Sequence, residues 1–197
     1  MNKSLQNYLQ KLSESGSTLN FSTIVSRYGE FTMYCILGPE ENIMHLTFAP
    51  EKHAFALEQL RYINAGIKLT SLKRDESPLH TVFRDYFHGR RSRFPGKINS
   101  PFFDGGTVFQ KKVWQLISVI PYGKCITYHE LAAMAGSPGG ARAVGMACGA
   151  NPLVLIIPCH RVIGVNGLGG FAGGTGVKRA LLDLEGGCSH SREGGPS

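Results

Sequence analysis

The chain has 197 residues, of which 42% are hydrophobic and 18% charged, and its formal net charge is +7. This hydrophobic content suffices for a packed core, which excludes disorder of the whole chain. No apolar run reaches the about 20 residues of a transmembrane helix, and the N-terminus lacks the apolar region of a secretory signal, so we expect a cytoplasmic protein without a membrane partner. The basic balance favours polyanionic partners without proving one.

Five cysteines lie in the chain, an odd number without a C-x-x-C pair or the spacing of a zinc site. They are Cys35, Cys125, Cys148, Cys159 and Cys188. We expect reduced thiols, no bound metal and no cofactor.

The first part of the chain, residues 1–105, predicts a small α/β unit. Short β-branched and aromatic runs alternate with Gly and Pro, which predicts two or three antiparallel strands. The segments EKHAFALEQLRYI and SPLHTVFRDYFHG predict helices, the second with Ser77 as N-cap and Pro78 in the first turn. Gly and Pro then concentrate between Gly89 and Gly106, which predicts a linker.

The part after the linker predicts a series of short helices. The segment TVFQKKVWQLISVI has apolar residues at the helical period. Thr127 and Glu130 then form the T-x-x-E pattern of a capping box, so a helix should begin at Tyr128. Ser137 and Pro138 offer the N-cap and first turn of another helix, and two short helices joined by a tight turn predict a helix-turn-helix.

The second of these two helices is slim, because Arg142 stands among glycines and alanines. Gly costs about 1 kcal/mol relative to Ala inside a helix, so this composition needs a reason in packing or close approach. One alternative is tight helix-helix packing. The other is entry into a DNA minor groove only about 6 Å wide, with the single arginine pushed into the base stack.

The stretch NPLVLIIPCHRVIG predicts a buried strand over Leu153–Ile157 that Pro158 ends just before Cys159. An isolated cysteine in an apolar setting is usually inert. A nucleophilic thiol instead needs a lowered pKa, for which His160 and Arg161 are candidate causes. Because neighbouring residues of an extended chain point to opposite sides, direct contact between Cys159 and His160 needs a bend or a bridging water.

Glu185 lies on the apolar face of the last predicted helix and at its C-terminus, where the helix dipole disfavours a carboxylate. A buried acid is usually paired. Pairing with His160 would give Cys159, His160 and Glu185 the logic of nucleophile, base and orienting acid, whereas a salt bridge to a lysine or arginine is the structural alternative. A glycine-dense loop around Phe171 lies between Cys159 and the last predicted helix in the sequence. The aromatic ring of Phe171 could stack on a flat base.

The segments IPYGKCITYHELAAMAG, RAVGMACGANPLVLIIPCHRVIG and GGFAGG, followed by VKRALLDLEG, resemble the O6-alkylguanine-DNA alkyltransferases. The resemblance is dense over residues 106–187 and loose before them. It implies an α/β protein with an RNase H-like N-terminal domain (1–105), a mainly helical, winged-helix-like domain (106–187) and a flexible tail (188–197).

The resemblance also implies roles for individual residues. Cys159 would be the alkyl acceptor, activated by His160 and Glu185 through a water and supported by Asn151. Tyr128 would favour nucleotide rotation and protonate the base. The DNA contacts would lie at Tyr128, Ser137, Ala141, Arg142 and Gly145, with Arg142 as the finger that replaces the flipped nucleotide. The base pocket would be lined by Val162, Phe171, Ala172 and Lys178.

The function implied is DNA repair by a single, irreversible transfer of the alkyl group of O6-alkylguanine, with O4-alkylthymine as a further possible substrate, to Cys159. The partner would be double-stranded DNA that carries this lesion, bound by a monomer in the cytoplasm, at the nucleoid or in a nucleus. Two alternatives remain: a non-catalytic protein that flags alkylated DNA, and a cysteine hydrolase.

Overall fold

The computed structural model describes residues 2–14, 20–39, 42–63, 67–73, 79–90, 94 and 100–188. The first half of the chain holds a sheet with the strand order β3-β2-β1-β4, in which β4 runs parallel to β1 and the other pairs are antiparallel. Its elements are α1 (Lys3–Glu14), β1 (Asn20–Tyr28), β2 (Phe31–Leu37), β3 (Ile43–Thr47), α2 (Pro50–Ile63), β4 (Lys68–Leu72), α3 (His80–Phe87) and α4 (Pro101–Asp104).

The three antiparallel strands and the two helices predicted here are confirmed. The sequence did not indicate α1 or the strand β4, whose KLTSL sequence is short, polar and mostly exposed at the sheet edge. The helix expected to open at Ser77 and Pro78 begins at His80 instead, while Ser77 and Pro78 lie outside the described residues. A short helix, α4, stands at the end of the predicted linker because the Ser100 hydroxyl caps the amide of Phe103.

The second half is mainly helical. Its elements are α5 (Val108–Ser118), β5 (Ile126–Thr127), α6 (Tyr128–Met134), α7 (Ala141–Gly149), a 3-10 turn (Cys159–Arg161), β6 (Val162–Ile163) and α8 (Thr175–Leu184). The capping box of Thr127 and Glu130 is confirmed, and α6 begins at Tyr128 as predicted.

The predicted start of the next helix at Ser137-Pro138 is wrong. Helix α7 begins at Ala141, and its N-cap residue Gly140 has no side chain to cap with. The Gly140 amide instead donates to the Ser137 carbonyl at 2.7 Å, which closes a tight turn before the helix. The two helices α6 and α7 still pack against each other and against α5.

The predicted strand over Leu153–Ile157 is buried but is not a strand. The chain reverses at Leu155, which has a φ of 77°, and the Ile157 amide donates to the Leu153 carbonyl at 2.8 Å. Asn151 causes this turn: its side-chain amide donates to the Ile157 carbonyl at 2.7 Å, and its side-chain oxygen accepts from the Leu153 amide at 2.9 Å. The segment therefore reaches Cys159 as a compact loop.

The two halves share hydrogen bonds through the edge strand β3. The Leu46 amide donates to the Pro152 carbonyl, and the Val154 amide donates to the Leu46 carbonyl, each at 2.9 Å. Val154, Leu155 and Leu181 also belong to the same apolar cluster as Leu46. The chain is an α/β protein in which the sheet of the first half directly supports the loop before Cys159.

The expectation of five reduced cysteines is wrong for one pair, since Cys125 and Cys188 form a disulfide. The end of α8 folds back onto the loop after α5, where the Tyr122 hydroxyl donates to the Leu184 carbonyl at 3.1 Å, and this brings the two cysteines together. Cys188 is thus held, although the sequence placed it in a flexible tail; residues 189–197 lie outside the described part. Each helix among the described residues is too short or too polar to span a bilayer.

Candidate active site

Cys159 lies at the base of a cavity of about 710 Å³, and only 4% of the residue is exposed. The cavity is lined by side chains and backbone of α6, α7 and the loops around residues 165 and 171. Asn151 donates a hydrogen bond from its side-chain amide to the Cys159 sulfur at 3.1 Å. The residues that the sequence singled out as acceptor and support are therefore in contact.

The protonation state of Cys159 differs from the expectation. Burial raises the pKa of the thiol, although the hydrogen bond from Asn151 and the charges of Lys178 and Lys52 act in the opposite direction. A cysteine beside His160 and Arg161 in the sequence is expected to have a lowered pKa. The raised pKa instead favours the neutral thiol over the thiolate in the free protein.

The predicted pair of His160 and Glu185 is confirmed. The His160 Nε2 lies 2.9 Å from the Glu185 Oε1, and both side chains are buried. The alternative, a salt bridge to arginine, is present as well: Arg161 donates from Nε to Oε2 and from Nη2 to Oε1, both at 2.8 Å. The single carboxylate holds a histidine and a guanidinium at once.

Glu185 receives two further donors that the sequence did not indicate. The Tyr86 hydroxyl on α3 donates to Oε1 at 2.6 Å, and the Gly123 amide donates to Oε2 at 3.1 Å. Burial alone would raise the pKa of this carboxyl, but the bonds from His160 and Arg161 hold it well below its usual range. Tyr86 gives no sequence signal, since an aromatic residue on an apolar helix face is typical of a core position.

Burial lowers the pKa of His160 and favours the neutral imidazole, although the bond to Glu185 acts in the opposite direction. A carboxylate can only accept, so Nε2 carries the hydrogen that Glu185 binds, and Nδ1 is left as an acceptor. That Nδ1 is buried and has no hydrogen-bond partner among the residues described. It is therefore able to take up a proton, and the ionised Glu185 would stabilise the resulting imidazolium.

Tyr128 lines the cavity, whereas Lys178 and Val162, which the resemblance placed in the base pocket, do not line it and lie behind Tyr128. The Lys178 ammonium is buried and donates to the Val162 carbonyl at 2.6 Å, and it lies 3.5 Å from the Tyr128 hydroxyl. Burial lowers the pKa of Lys178 to about 8, while the nearby thiols raise it. Burial raises the pKa of the Tyr128 hydroxyl. The Val162 carbonyl, expected to face a base, already accepts from this lysine.

The predicted pocket residues Phe171 and Ala172 line the cavity opposite α7. The Phe171 ring packs against Phe48 of the first half, with ring centroids 6.3 Å apart. Gly169, with a φ of +70°, lets the Tyr128 ring lie against this loop, because a Cβ there would come within 2.6 Å of the ring. The aromatic wall is thus held from both sides.

The rim of the cavity is formed by α7. Arg142 is exposed and lines the mouth together with Ala141 and Gly145. Ser137 stands in the turn before α7 and does not line the cavity. The buried side of α7 packs through Val144, Ala147 and Cys148, and the Trp114 indole donates to the Ala147 carbonyl at 2.8 Å. Both interpretations of the slim helix are therefore compatible with its geometry, since one face packs closely and the other is open.

Across the part of the chain that the structure describes, no group of three or more His, Cys, Asp or Glu side chains could hold a metal ion. Cys35 and His45 are two potential metal ligands that lie on neighbouring strands of the sheet and are buried, but they do not belong to a group of this size among the described residues.

The second half of the chain matches the family model of the 6-O-methylguanine DNA methyltransferase DNA-binding domain over residues 108–187. A methylated-DNA--protein-cysteine methyltransferase of Methanosarcina acetivorans is 43% identical over 142 residues, which are 66% of this chain and 88% of that protein. The protein of the same name from Haemophilus influenzae is 39% identical over 155 residues, covering 76% of this chain and 78% of the relative.

Solved structures agree with these matches. The O6-methylguanine methyltransferase of Mycobacterium tuberculosis superposes with a TM-score of 0.66 at 32% identity, over 84% of this chain and 92% of that one. The same protein in complex with DNA gives a TM-score of 0.63 at 32% identity, with the same coverage. These relatives show that the chain belongs to the methylated-DNA--protein-cysteine methyltransferase family.

Proposed function

We propose that the protein repairs DNA by transferring the alkyl group of O6-alkylguanine to the sulfur of Cys159. The observation that carries the proposal is the cavity of about 710 Å³ with Cys159 at its base and the exposed Arg142 at its rim. A nucleophile at the end of a cavity reaches a base only when that base has left the duplex, which costs a few kcal/mol. The net charge of +7 suits a polyanionic partner.

The binding step uses the open face of α7. The helix would enter the minor groove with Ala141 and Gly145 near the backbone, and Arg142 would fill the gap that the extruded nucleotide leaves. Ser137, in the turn between α6 and α7, would lie near a phosphate. Tyr128 would crowd the 3′ phosphate and favour rotation of the nucleotide.

The chemical step forms one bond and breaks one bond. The Cys159 sulfur attacks the alkyl carbon, the new S–C bond forms, and the C–O6 bond of the guanine breaks with its electron pair on the base. The thiol proton passes through a water to Nδ1 of His160, where Glu185 stabilises the positive charge. The base takes a proton from the Tyr128 hydroxyl. The His160 imidazolium then returns the thiol proton to the Tyr128 phenolate through water, so that one proton has moved in total from sulfur to guanine.

Lys178 and the loop at residues 171–172 prepare the pocket for this step. The Lys178 ammonium, 3.5 Å from the Tyr128 hydroxyl, stabilises the phenolate that forms when the base takes its proton. Phe171 and Ala172 would contact the base, and the Val162 carbonyl orients Lys178. A thioether does not hydrolyse under physiological conditions, so each molecule acts once.

The proposal includes finer features of fold and setting. We expect an RNase H-like first domain over residues 1–105 and a winged-helix-like second domain over residues 106–187, acting as a monomer without cofactor or metal. The expected partner is duplex DNA with O6-alkylguanine, and O4-alkylthymine is a second substrate to test. Repair would take place in the cytoplasm, at the nucleoid or in a nucleus.

The test is incubation of the protein with a duplex that contains O6-methylguanine, followed by peptide mass spectrometry. One methyl group per protein, located on Cys159, is expected, and Cys159→Ala should bind the duplex without taking up methyl. Repeated turnover would support a hydrolase instead. Unmodified Cys159 in a protein bound to the lesion would support a protein that only flags the damage.

A further inference from the structure

Lys52, on the first turn of α2, reaches from the first half of the chain to the helix that the proposed function places on DNA. Its ammonium donates a hydrogen bond to the carbonyl of Gly149, the last residue of α7. The side chain is partly buried at this contact. A cation at a helix C-terminus interacts favourably with the partial negative charge there.

The carbonyl that Lys52 holds lies two residues before Asn151, whose side chain contacts the Cys159 sulfur at 3.1 Å. The backbone on the other side of Asn151 is held as well, since Leu46 on β3 bonds to Pro152 and Val154. The first half of the chain therefore forms hydrogen bonds to the backbone on both sides of Asn151. The β3 contact is made by backbone, and the Gly149 contact depends on one side chain.

Electrostatics adds to this geometry. The groups facing Cys159 come from several elements: Lys178 from α8, Lys52 from α2, and the neutral Asn151, Tyr128 and Cys148 from the turn, α6 and α7. Burial lowers the pKa of Lys52, and the negative charge that can form on Cys159 raises it. By reciprocity, the Lys52 charge favours the thiolate form of Cys159. Lys178 contacts the Tyr128 hydroxyl, whereas Lys52 contacts the Gly149 carbonyl at the end of α7.

We propose that Lys52 is a positioning residue for alkyl transfer: through its bond to the Gly149 carbonyl it fixes the Asn151 turn, and with it the contact of Asn151 to the Cys159 sulfur, across the interface between the two halves. This inference rests on the proposed function for the role of Cys159. It gives the first half of the chain a direct part in the reaction beyond support of the fold.

The test compares Lys52→Met with Lys52→Arg and with Lys68→Met, which removes an exposed lysine of β4. The rate of Cys159 carboxamidomethylation by iodoacetamide is followed against pH by peptide mass spectrometry, which separates Cys159 from the other thiols. We expect the midpoint to rise by about half to one pH unit in Lys52→Met, so that the thiolate fraction at neutral pH falls roughly 3- to 10-fold. Methyl transfer from damaged duplex should slow by the same factor.

Lys52→Arg should restore most of the midpoint and of the rate, and Lys68→Met should change neither. The inference is overturned if Lys52→Met keeps the wild-type midpoint, whether its methyl transfer is normal or slowed. It is also overturned if slowing persists in Lys52→Arg. Circular dichroism verifies folding, and Lys52→Gln replaces the methionine variant if that variant unfolds.

The two proposals fail in different ways. If the wild-type protein takes no methyl from DNA while its Cys159 reacts with iodoacetamide, the proposed function fails, and the midpoint shift of Lys52→Met still reports the coupling of Lys52 to the thiol.

Discussion

Arg142 is the side chain whose proposed role depends on the DNA being double-stranded. A nucleotide extruded from a duplex leaves a gap in the base stack that the exposed arginine on α7 can fill. A single strand has no such gap. We expect Arg142→Ala to slow methyl transfer from duplex DNA by about 10-fold or more and transfer from the single strand by less than about twofold. Single-turnover assays on both substrates measure this ratio.

The control for Arg142 is Arg179→Ala, which removes the same charge from an exposed position on α8. It should lower the rates on duplex and single strand by similar, small factors, because it acts only through net charge. Equal slowing of both substrates by Arg142→Ala would refute the finger assignment.

His45 is a buried residue with consequences for acid stability. Neither ring nitrogen has a hydrogen-bond partner in the described structure, and burial, together with His53 and Lys52, lowers its pKa to about 3. The folded pKa lies below the unfolded value of about 6.5, so the unfolded chain binds the proton first as pH falls. The stability contributed by the neutral ring is complete above about pH 6.5 and is lost progressively toward pH 3.

We therefore expect His45→Gln to lose about 2–3 kcal/mol less unfolding free energy than the wild type between pH 7.5 and pH 4.5. Urea denaturation at the two pH values gives this difference. His129→Gln, at an exposed position of α6, serves as control and should follow the wild type. Identical pH dependence of wild type and His45→Gln would show that the ring has the same pKa in the folded and the unfolded chain, which contradicts the lowered pKa of His45.

At the scale of helices, two capping boxes of the same kind allow a matched comparison. Thr107 caps α5 with Gln110, and Thr127 caps α6 with Glu130. Replacement of either threonine by alanine should cost about 1 kcal/mol of unfolding free energy, because one amide at the helix start loses its acceptor. Urea denaturation measures both.

Only the α6 cap bears on the proposed chemistry. The residue after Thr127 is Tyr128, so fraying of this helix moves a wall of the cavity, and Thr127→Ala should slow methyl transfer more than Thr107→Ala does. Equal rates in two variants of equal stability would show that the position of Tyr128 does not depend on its cap.

Local signals explain which elements the sequence could predict. The start of α6 follows from a capping box within four residues, and that prediction is confirmed. The loop over Leu153–Ile157 has the apolar pattern of a strand because its burial is real, yet the Asn151 side chain folds it into a turn. The start of α7 differs from the prediction because a backbone bond between Gly140 and Ser137 competes with a Ser-Pro helix start.

The candidate site follows the same division at the scale of the whole molecule. The pair of His160 and Glu185 could be predicted, since a carboxylate on an apolar face needs a partner and a histidine stands beside the thiol. Tyr86, Lys52 and Phe48 could not, because they reach the site from the first half of the chain through tertiary packing. Periodicity and spacing carry no information about contacts between distant segments.

The disulfide between Cys125 and Cys188 joins the segment after α8 to the loop before β5. It links positions 63 residues apart, and closing a loop of this length in the unfolded chain contributes roughly 4 kcal/mol of stability. Because Glu185 lies three residues before Cys188, the same bond holds the carboxylate that orients His160.

We expect Cys188→Ser to lower the unfolding free energy in oxidising buffer by a comparable amount and to match the wild type in dithiothreitol. A wild-type protein whose urea midpoint is unchanged by dithiothreitol would contradict this role of the bond. The intact mass reports whether the bond has formed, because the disulfide lacks the hydrogens of the two thiols and lowers the mass by about 2 Da.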